Sequence, residues 1–113
     1  MKKIMTRLLS LVLLGAFIPS FVLAAEWDLK DGDITVNTSD TAQTVSQAGS
    51  TPTVDNNPVI TSNGNSTNNT VTITAEGDAT ANVTLENVNI KTNNGAAIST
   101  SGNVKIELDG TNT

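Results

Sequence analysis

The chain has 113 residues, with six Lys and Arg, eleven Asp and Glu, no His, no Cys and only 3% aromatic residues. A formal charge of −5 argues against a nucleic-acid partner, whose phosphates need neutralising cations. The missing His excludes imidazole acid–base catalysis, the missing Cys excludes disulfides, and any core must be assembled from Val, Ile, Leu and Ala.

The first segment, Met1-Lys2-Lys3-Ile4-Met5-Thr6-Arg7, is basic, and the run from Leu8 to Leu23 is apolar except at Ser10, Gly15, Pro19 and Ser20. Val22-Leu23-Ala24 then offers a small residue at a cleavage position. This is the layout of a secretory signal peptide over residues 1–24, cut after Ala24, with Ala25 as the second choice. The run is shorter than the roughly 20 apolar residues of a membrane span, and Pro19 interrupts it. Removal leaves Lys30, Lys91 and Lys105 against all eleven acids, a formal charge of −8. The expectation is a secreted, extracellular or cell-surface β-chain. With this charge it has no nucleic-acid or anionic-membrane partner, and it suits cations, neutral sugars, or acidic sugars bridged by a metal ion.

From residue 25 onward Thr and Asn dominate, and no stretch shows the three-to-four-residue apolar spacing of an amphipathic helix. Thr and Val favour strands, and Asn and Gly favour turns, so the chain reads as all-β. Ile34, Val36, Val45, Val54, Val59 and Ile60 supply short strands, while Pro52 and Pro58 forbid a central strand at their own positions. Asn63 to Asn69 reads as a polar loop.

The clearest signal runs from Val71 to Leu85. Every odd position is apolar or small and every even one polar, which places the two sets on opposite faces of strands. Glu76-Gly77-Asp78 marks a bend. The phase flips at Glu86-Asn87, after which Val88 and Ile90 are the apolar positions. Val83-Thr84-Leu85-Glu86-Asn87-Val88-Asn89 then aligns on Ile106-Glu107-Leu108-Asp109-Gly110-Thr111-Asn112 at an offset of 23. A bend residue, an acid and an asparagine recurring at this distance are the mark of stacked coils. Such a stack needs about three or more units and polar caps, so the chain is expected to be the start of a longer array with an open C-terminal coil through which it can self-associate. The competing fold is a small antiparallel β-sandwich, with Glu76-Gly77-Asp78 closing a hairpin.

Trp27-Asp28-Leu29, Gly32-Asp33-Ile34-Thr35-Val36, Thr44-Val45-Ser46-Gln47, Pro58-Val59-Ile60, Thr70-Val71-Thr72-Ile73, Ala81 to Ile90, Ala96-Ala97-Ile98 and Val104 to Thr113 follow one another in order. Together they resemble the opening of the surface-exposed carbohydrate-binding β-helix domains of clostridial and other gut anaerobes. The resemblance covers residues 25–113 as the N-terminal coils of such a domain. It implies a right-handed parallel β-helix that binds plant cell-wall polysaccharide, with pectic acidic sugars and calcium as the best-known case.

Candidate site residues follow from the same pattern. At an offset of 23, Glu86 stacks on Asp109; at 21 it stacks on Glu107. Either way acid opposes acid, a repulsion that Ca²⁺ would relieve, so Glu86, Asp109 and Glu107 are the expected metal ligands. The alternative is a pair of solvated bend acids. Asp28, Asp31 and Asp33 lack the Gly and terminal Glu of a calcium loop and read as a polar start to the domain. Trp27 is either a sugar-stacking platform or a cover over the end of the core. Asn87 and Gly110 are structural bends, and Asn89 and Asn112 are candidates for an internal amide ladder. No catalytic residue is assigned: residues 25–113 contain no His and no Arg. The alternatives to a carbohydrate-binding module are a structural or adhesive surface solenoid without sugar binding and a fragment of a polysaccharide lyase or hydrolase.

Overall fold

A computed structural model describes residues 25–113; the expected signal peptide, residues 1–24, lies outside the described residues. Alternating Val, Ile and Ala with Thr and Asn folds as eleven strands: β1 (Glu26–Asp28), β2 (Ile34–Thr38), β3 (Gln43–Gln47), β4 (Thr53–Val54), β5 (Val59–Thr61), β6 (Ser66–Thr67), β7 (Val71–Ala75), β8 (Thr80–Glu86), β9 (Asn89–Ile90), β10 (Ile98–Ser101) and β11 (Asn103–Asp109). One 3₁₀ turn, Leu29–Asp31, follows β1, and no α-helix occurs among the described residues. The all-β reading therefore holds.

The strands form three sheets around one core. The first has the order β1-β5-β8-β11, the second β10-β7-β2-β3-β4, and the third pairs β6 with β9. All pairings in the first and third sheets are parallel, as are β2-β7 and β7-β10 in the second. In the first sheet one column runs Glu26, Val59, Thr84, Glu107, so successive strands advance by 33, 25 and 23 residues. The last advance is the repeat visible in the sequence. β7 and β8 lie in different sheets, so Glu76-Gly77-Asp78 is a corner and not a hairpin loop. Antiparallel pairing occurs elsewhere, between β2 and β3 and between β3 and β4.

The buried residues are those the alternation selects. Val71, Ile73, Ala75, Ala81, Val83 and Leu85 turn inward, and after the phase change Val88 and Ile90 do so. Register stacks them in columns. Trp27, Ile60, Leu85 and Leu108 form one, and Ile34, Val71 and Ile98 another. Parallel strands lie ~4.8 Å apart, so like side chains in a column meet directly. Exposure rises toward the last strand: Ile60 is 0%, Leu85 4% and Leu108 68% exposed.

The segment from Asn63 to Asn69, expected as loop, contains β6, because Ser66 and Thr67 lie in register with Asn89 and Ile90. The corner between β5 and β6 is two residues longer than that between β8 and β9, and the difference shows at the asparagines. Asn112 accepts from the Val88 N–H at 2.9 Å and donates to the Leu85 carbonyl at 3.2 Å, tying its turn to the one that follows β8. Asn89 donates to the Gly64 carbonyl at 3.4 Å, but its buried Oδ1 has no partner. In the longer corner the Asn65 N–H is spent on the Ser62 carbonyl. Each amide thus bonds to the backbone of the preceding turn and not to the other amide.

Left-handed backbone recurs at several turns, among them those that follow β8 and β11. Asn87 has φ 53° and Gly110 φ 68°, each directly after paired strand ends, Glu86 of β8 and Asp109 of β11. Gly102, between β10 and β11, has φ 83°, and a Cβ there would overlap the Ala75 carbonyl oxygen. Gly95 has nearly the same φ, 81°, but nothing would meet its Cβ. Gly95→Ala is therefore expected to cost about 1 kcal/mol from left-handed strain alone, and Gly102→Ala about 2 kcal/mol or more. Equal urea midpoints for the two variants would refute the overlap.

Candidate functional site

The outward face of the first sheet gathers most of the polar positions singled out in the sequence. β8 and β11 present Thr80 beside Asn103, Asn82 beside Lys105, Thr84 beside Glu107 and Glu86 beside Asp109. Glu86 therefore faces Asp109, whereas Glu107 faces Thr84, which selects the offset of 23 over 21. The Glu86–Asp109 column continues through Thr61 to Asp28. Neighbouring strands bring these side chains within one strand spacing, but no three acidic groups converge among the described residues. Ca²⁺ takes about six to eight oxygens, and two carboxylates supply at most about four. The pair by itself therefore does not make up a calcium coordination shell.

Asp28, Asp31 and Asp33 each have their own partners. Asp28 accepts from the Lys30 N–H at 2.9 Å and from Asn63 Nδ2 at 2.9 Å. Asp33 accepts from the Thr70 N–H at 2.9 Å. Asp31 lies 3.7 Å from Lys30, the one ion pair among the described residues. These three carboxylates hold the segment between β1 and β2 in place and do not converge.

Trp27 shares an inward column with Ile60 and is half-buried against the core, and its Nε1–H donates to Asp55 Oδ2 at 2.9 Å. Asp55 is itself held: its N–H donates to the Gln43 carbonyl at 3.0 Å, and its carbonyl accepts from Gln43 Nε2 at 3.0 Å. The Asn57 N–H closes onto Asp55 Oδ1 at 3.1 Å. Between β4 and β5 this fixes a rigid turn that leaves the side chains of Asn56 and Asn57 exposed.

That turn forms one wall of a shallow groove across the sheet face, lined by Asn56, Asn57, Asn82, Thr84, Lys105 and Glu107. A second depression, bounded by the Ser39–Ala42 turn and Thr80, adjoins it and shares Asn56 and Asn82. Carboxamides donate and accept at once, as a sugar hydroxyl does, and Lys105 adds an exposed cation beside Glu107. The groove is open and polar and has no aromatic platform, because Trp27 is turned inward.

The floor depends on Gln43, 4% exposed. β5 begins at Val59, opposite Thr84, so Asn82 has no strand beside it on that side. The Gln43 carboxamide fills the place of the missing peptide. Its Nε2 donates to the Asn82 carbonyl at 2.9 Å, and its Oε1 accepts from the Asn82 N–H at 3.0 Å and from the Thr38 hydroxyl at 2.8 Å. The sequence reading did not find Gln43, Asp55, Asn56 or Asn57. Asn82 and Thr84 carried a signal, as outward even positions in the alternating run, and Glu107 carried one as a candidate ligand.

Fold and face together define an all-β protein with a largely parallel sheet architecture and a polar groove on one sheet. No protein-family model, no curated protein and no solved structure matches the chain.

Proposed function

We propose that this chain forms the opening coils of an exported, right-handed parallel β-helix that binds plant cell-wall polysaccharide of the pectic type. The observation that carries the reading is the amide-lined groove of Asn56, Asn57, Asn82 and Thr84 on a flat sheet face. Extended polysaccharides suit flat, open grooves, and their hydroxyls suit side chains that both donate and accept. The parallel pairing of β1, β5, β8 and β11 supports the helical architecture, and right-handed crossovers are the rule between parallel strands. Secretion rests on the signal-like first 24 residues. The module is non-catalytic in this reading, because residues 25–113 have neither His nor Arg.

Calcium enters through Glu86 and Asp109. A uronate carboxylate and its hydroxyls would supply the oxygens that the pair lacks, so cation and acidic sugar would bind together rather than singly. Retention of the purified chain on immobilised homogalacturonan, with calcium and with chelator, tests both parts. The expected result is retention in calcium, reduced about tenfold or more by the double change Asn56→Ala and Asn82→Ala at unchanged melting temperature. Glu86→Gln with Asp109→Asn is expected to remove the calcium dependence. No retention in either buffer would overturn the sugar-binding reading in favour of a structural surface role, to which the inward-turned Trp27 already lends support.

A further inference from the structure

The dipeptide Asn-Gly occurs at Asn63-Gly64 and again at Asn94-Gly95, and all four residues are exposed. Glycine sets no Cβ beside its nitrogen, so that nitrogen can approach the carboxamide carbon of the asparagine before it. The two copies differ in what holds them. Asn63 Nδ2 donates to Asp28 Oδ2 at 2.9 Å, and the Gly64 N–H donates to the Asn87 carbonyl at 2.8 Å. The amide that would leave and the nitrogen that would attack are therefore both tied to other strands' turns. Asn94 bonds only through its backbone: its N–H and its carbonyl both meet the Thr92 hydroxyl, at 3.2 and 2.9 Å. Among the described residues neither the Asn94 carboxamide nor the Gly95 N–H has a partner.

Strand register explains the difference. β9 stacks on β6 and β10 on β7, with Ile90 opposite Thr67 and Ile98 opposite Val71. Residues 68–70 join the first two strands and residues 91–97 the second two, three residues against seven. The four surplus residues have nothing to stack on in the counterpart loop, so they project from the stack. The space where a Cβ on Gly95 would lie is open. Asn63-Gly64, by contrast, sits in a corner that is packed between Asp28 on one side and the Asn87 turn on the other.

We propose that Asn94-Gly95 is a site of spontaneous modification through a cyclic imide, and that the fold shields Asn63-Gly64 from the same reaction. The Gly95 nitrogen gives its proton to solvent and bonds to Asn94 Cγ; the Cγ–Nδ2 bond breaks, and that nitrogen leaves as ammonia. Water then opens the imide. Opening at Cγ yields aspartate, and opening at the main-chain carbonyl carbon yields isoaspartate, through which the backbone gains one carbon. Water is consumed and ammonia released, with no oxidant or cofactor. Either product adds a negative charge to the loop, and a projecting loop accepts the extra carbon without shifting β9 or β10. At Asn63 the same change would break the Gly64–Asn87 bond and set a second carboxylate against Asp28. The proposal stands independently of what the groove binds.

Incubation of the purified full chain in mildly alkaline buffer, followed by fragmentation mass spectrometry and enzymatic methylation of isoaspartate, tests this assignment. The expected result is a gain of one mass unit at Asn94, as aspartate and isoaspartate together, with the β-rich circular dichroism spectrum kept. Modification at Asn63 is expected to be about tenfold or more slower, because it requires a local opening of the corner. In strong urea the two sites are expected to react at comparable rates. Equal rates at the two sites in the folded chain, a faster reaction at Asn63, or an Asn94 that stays intact while the urea-unfolded chain is modified would each overturn the proposal. A rate difference that persists unchanged in urea would overturn it too, since the fold would then not be its cause.

Discussion

Ile60→Ala is expected to lower the unfolding free energy by about 2–5 kcal/mol, the range for emptying a fully enclosed aliphatic site. Ile60 is 0% exposed and sits mid-column between Trp27 and Leu85. Its neighbours cannot close over the gap, because each is fixed by the hydrogen-bonded register of its own strand. Stabilities of about 0.05–0.15 kcal/mol per residue are usual, so the loss is a large part of the total for so small a domain. Urea unfolding followed by circular dichroism measures it; the midpoint should fall while the slope holds. Ile60→Val should cost only about 0.5–1.5 kcal/mol. A change below about 1 kcal/mol for the Ala variant would mean that the column is not closed around Ile60.

Gln43→Leu is expected to cost about 2–3 kcal/mol although it keeps the size of the side chain and adds apolar character. The cost comes from groups left behind: the Asn82 N–H and carbonyl, the Asp55 carbonyl and the Thr38 hydroxyl all lose a partner. Unmade bonds of buried polar groups cost more than the made bonds contribute, so an apolar substitute fails here where it would succeed in the core. Gln43→Glu is expected to do no better, because it removes both donors and turns a carboxylate toward two carbonyl oxygens. Amide exchange is the sharper measurement. The Asn82 N–H should lose protection in Gln43→Leu, whereas the Thr84 N–H, bonded to the Pro58 carbonyl at 3.0 Å, should keep it. Wild-type stability in Gln43→Leu would show that the carboxamide does not substitute for the missing strand. Loss of this bond should also loosen the Asp55–Asn57 turn and with it one wall of the groove.

The contrast between these two residues shows where sequence reasoning succeeds. Ile60 belongs to a short apolar run after a proline, a strand signal that depends only on nearest neighbours. Gln43 looks like any polar residue in a Thr- and Ser-rich stretch, and its partner Asn82 lies 39 positions away. The same holds for Trp27, whose inward direction is set by register with Ile60 and by Asp55, 28 residues on. Among the acids, the juxtaposition of Glu86 and Asp109 was legible because both lie in one repeated segment. The extension of that column to Asp28 was not, because the first advance is 33 residues instead of 23.

By itself, the sequence determined the β character, the inward and outward sets from Val71 to Leu85, the change of face at Asn87 and the stacking of β11 on β8. These are properties of period two and of a nearly constant repeat, both written in local order. Tertiary structure decided what interrupts the repeat: the β3–β4 insertion, the longer corner before β6, the side-chain amide that stands in for a strand, and the turn that walls the groove. Such features depend on which distant backbone groups are left without partners, and those vacancies exist only once the strands have come together.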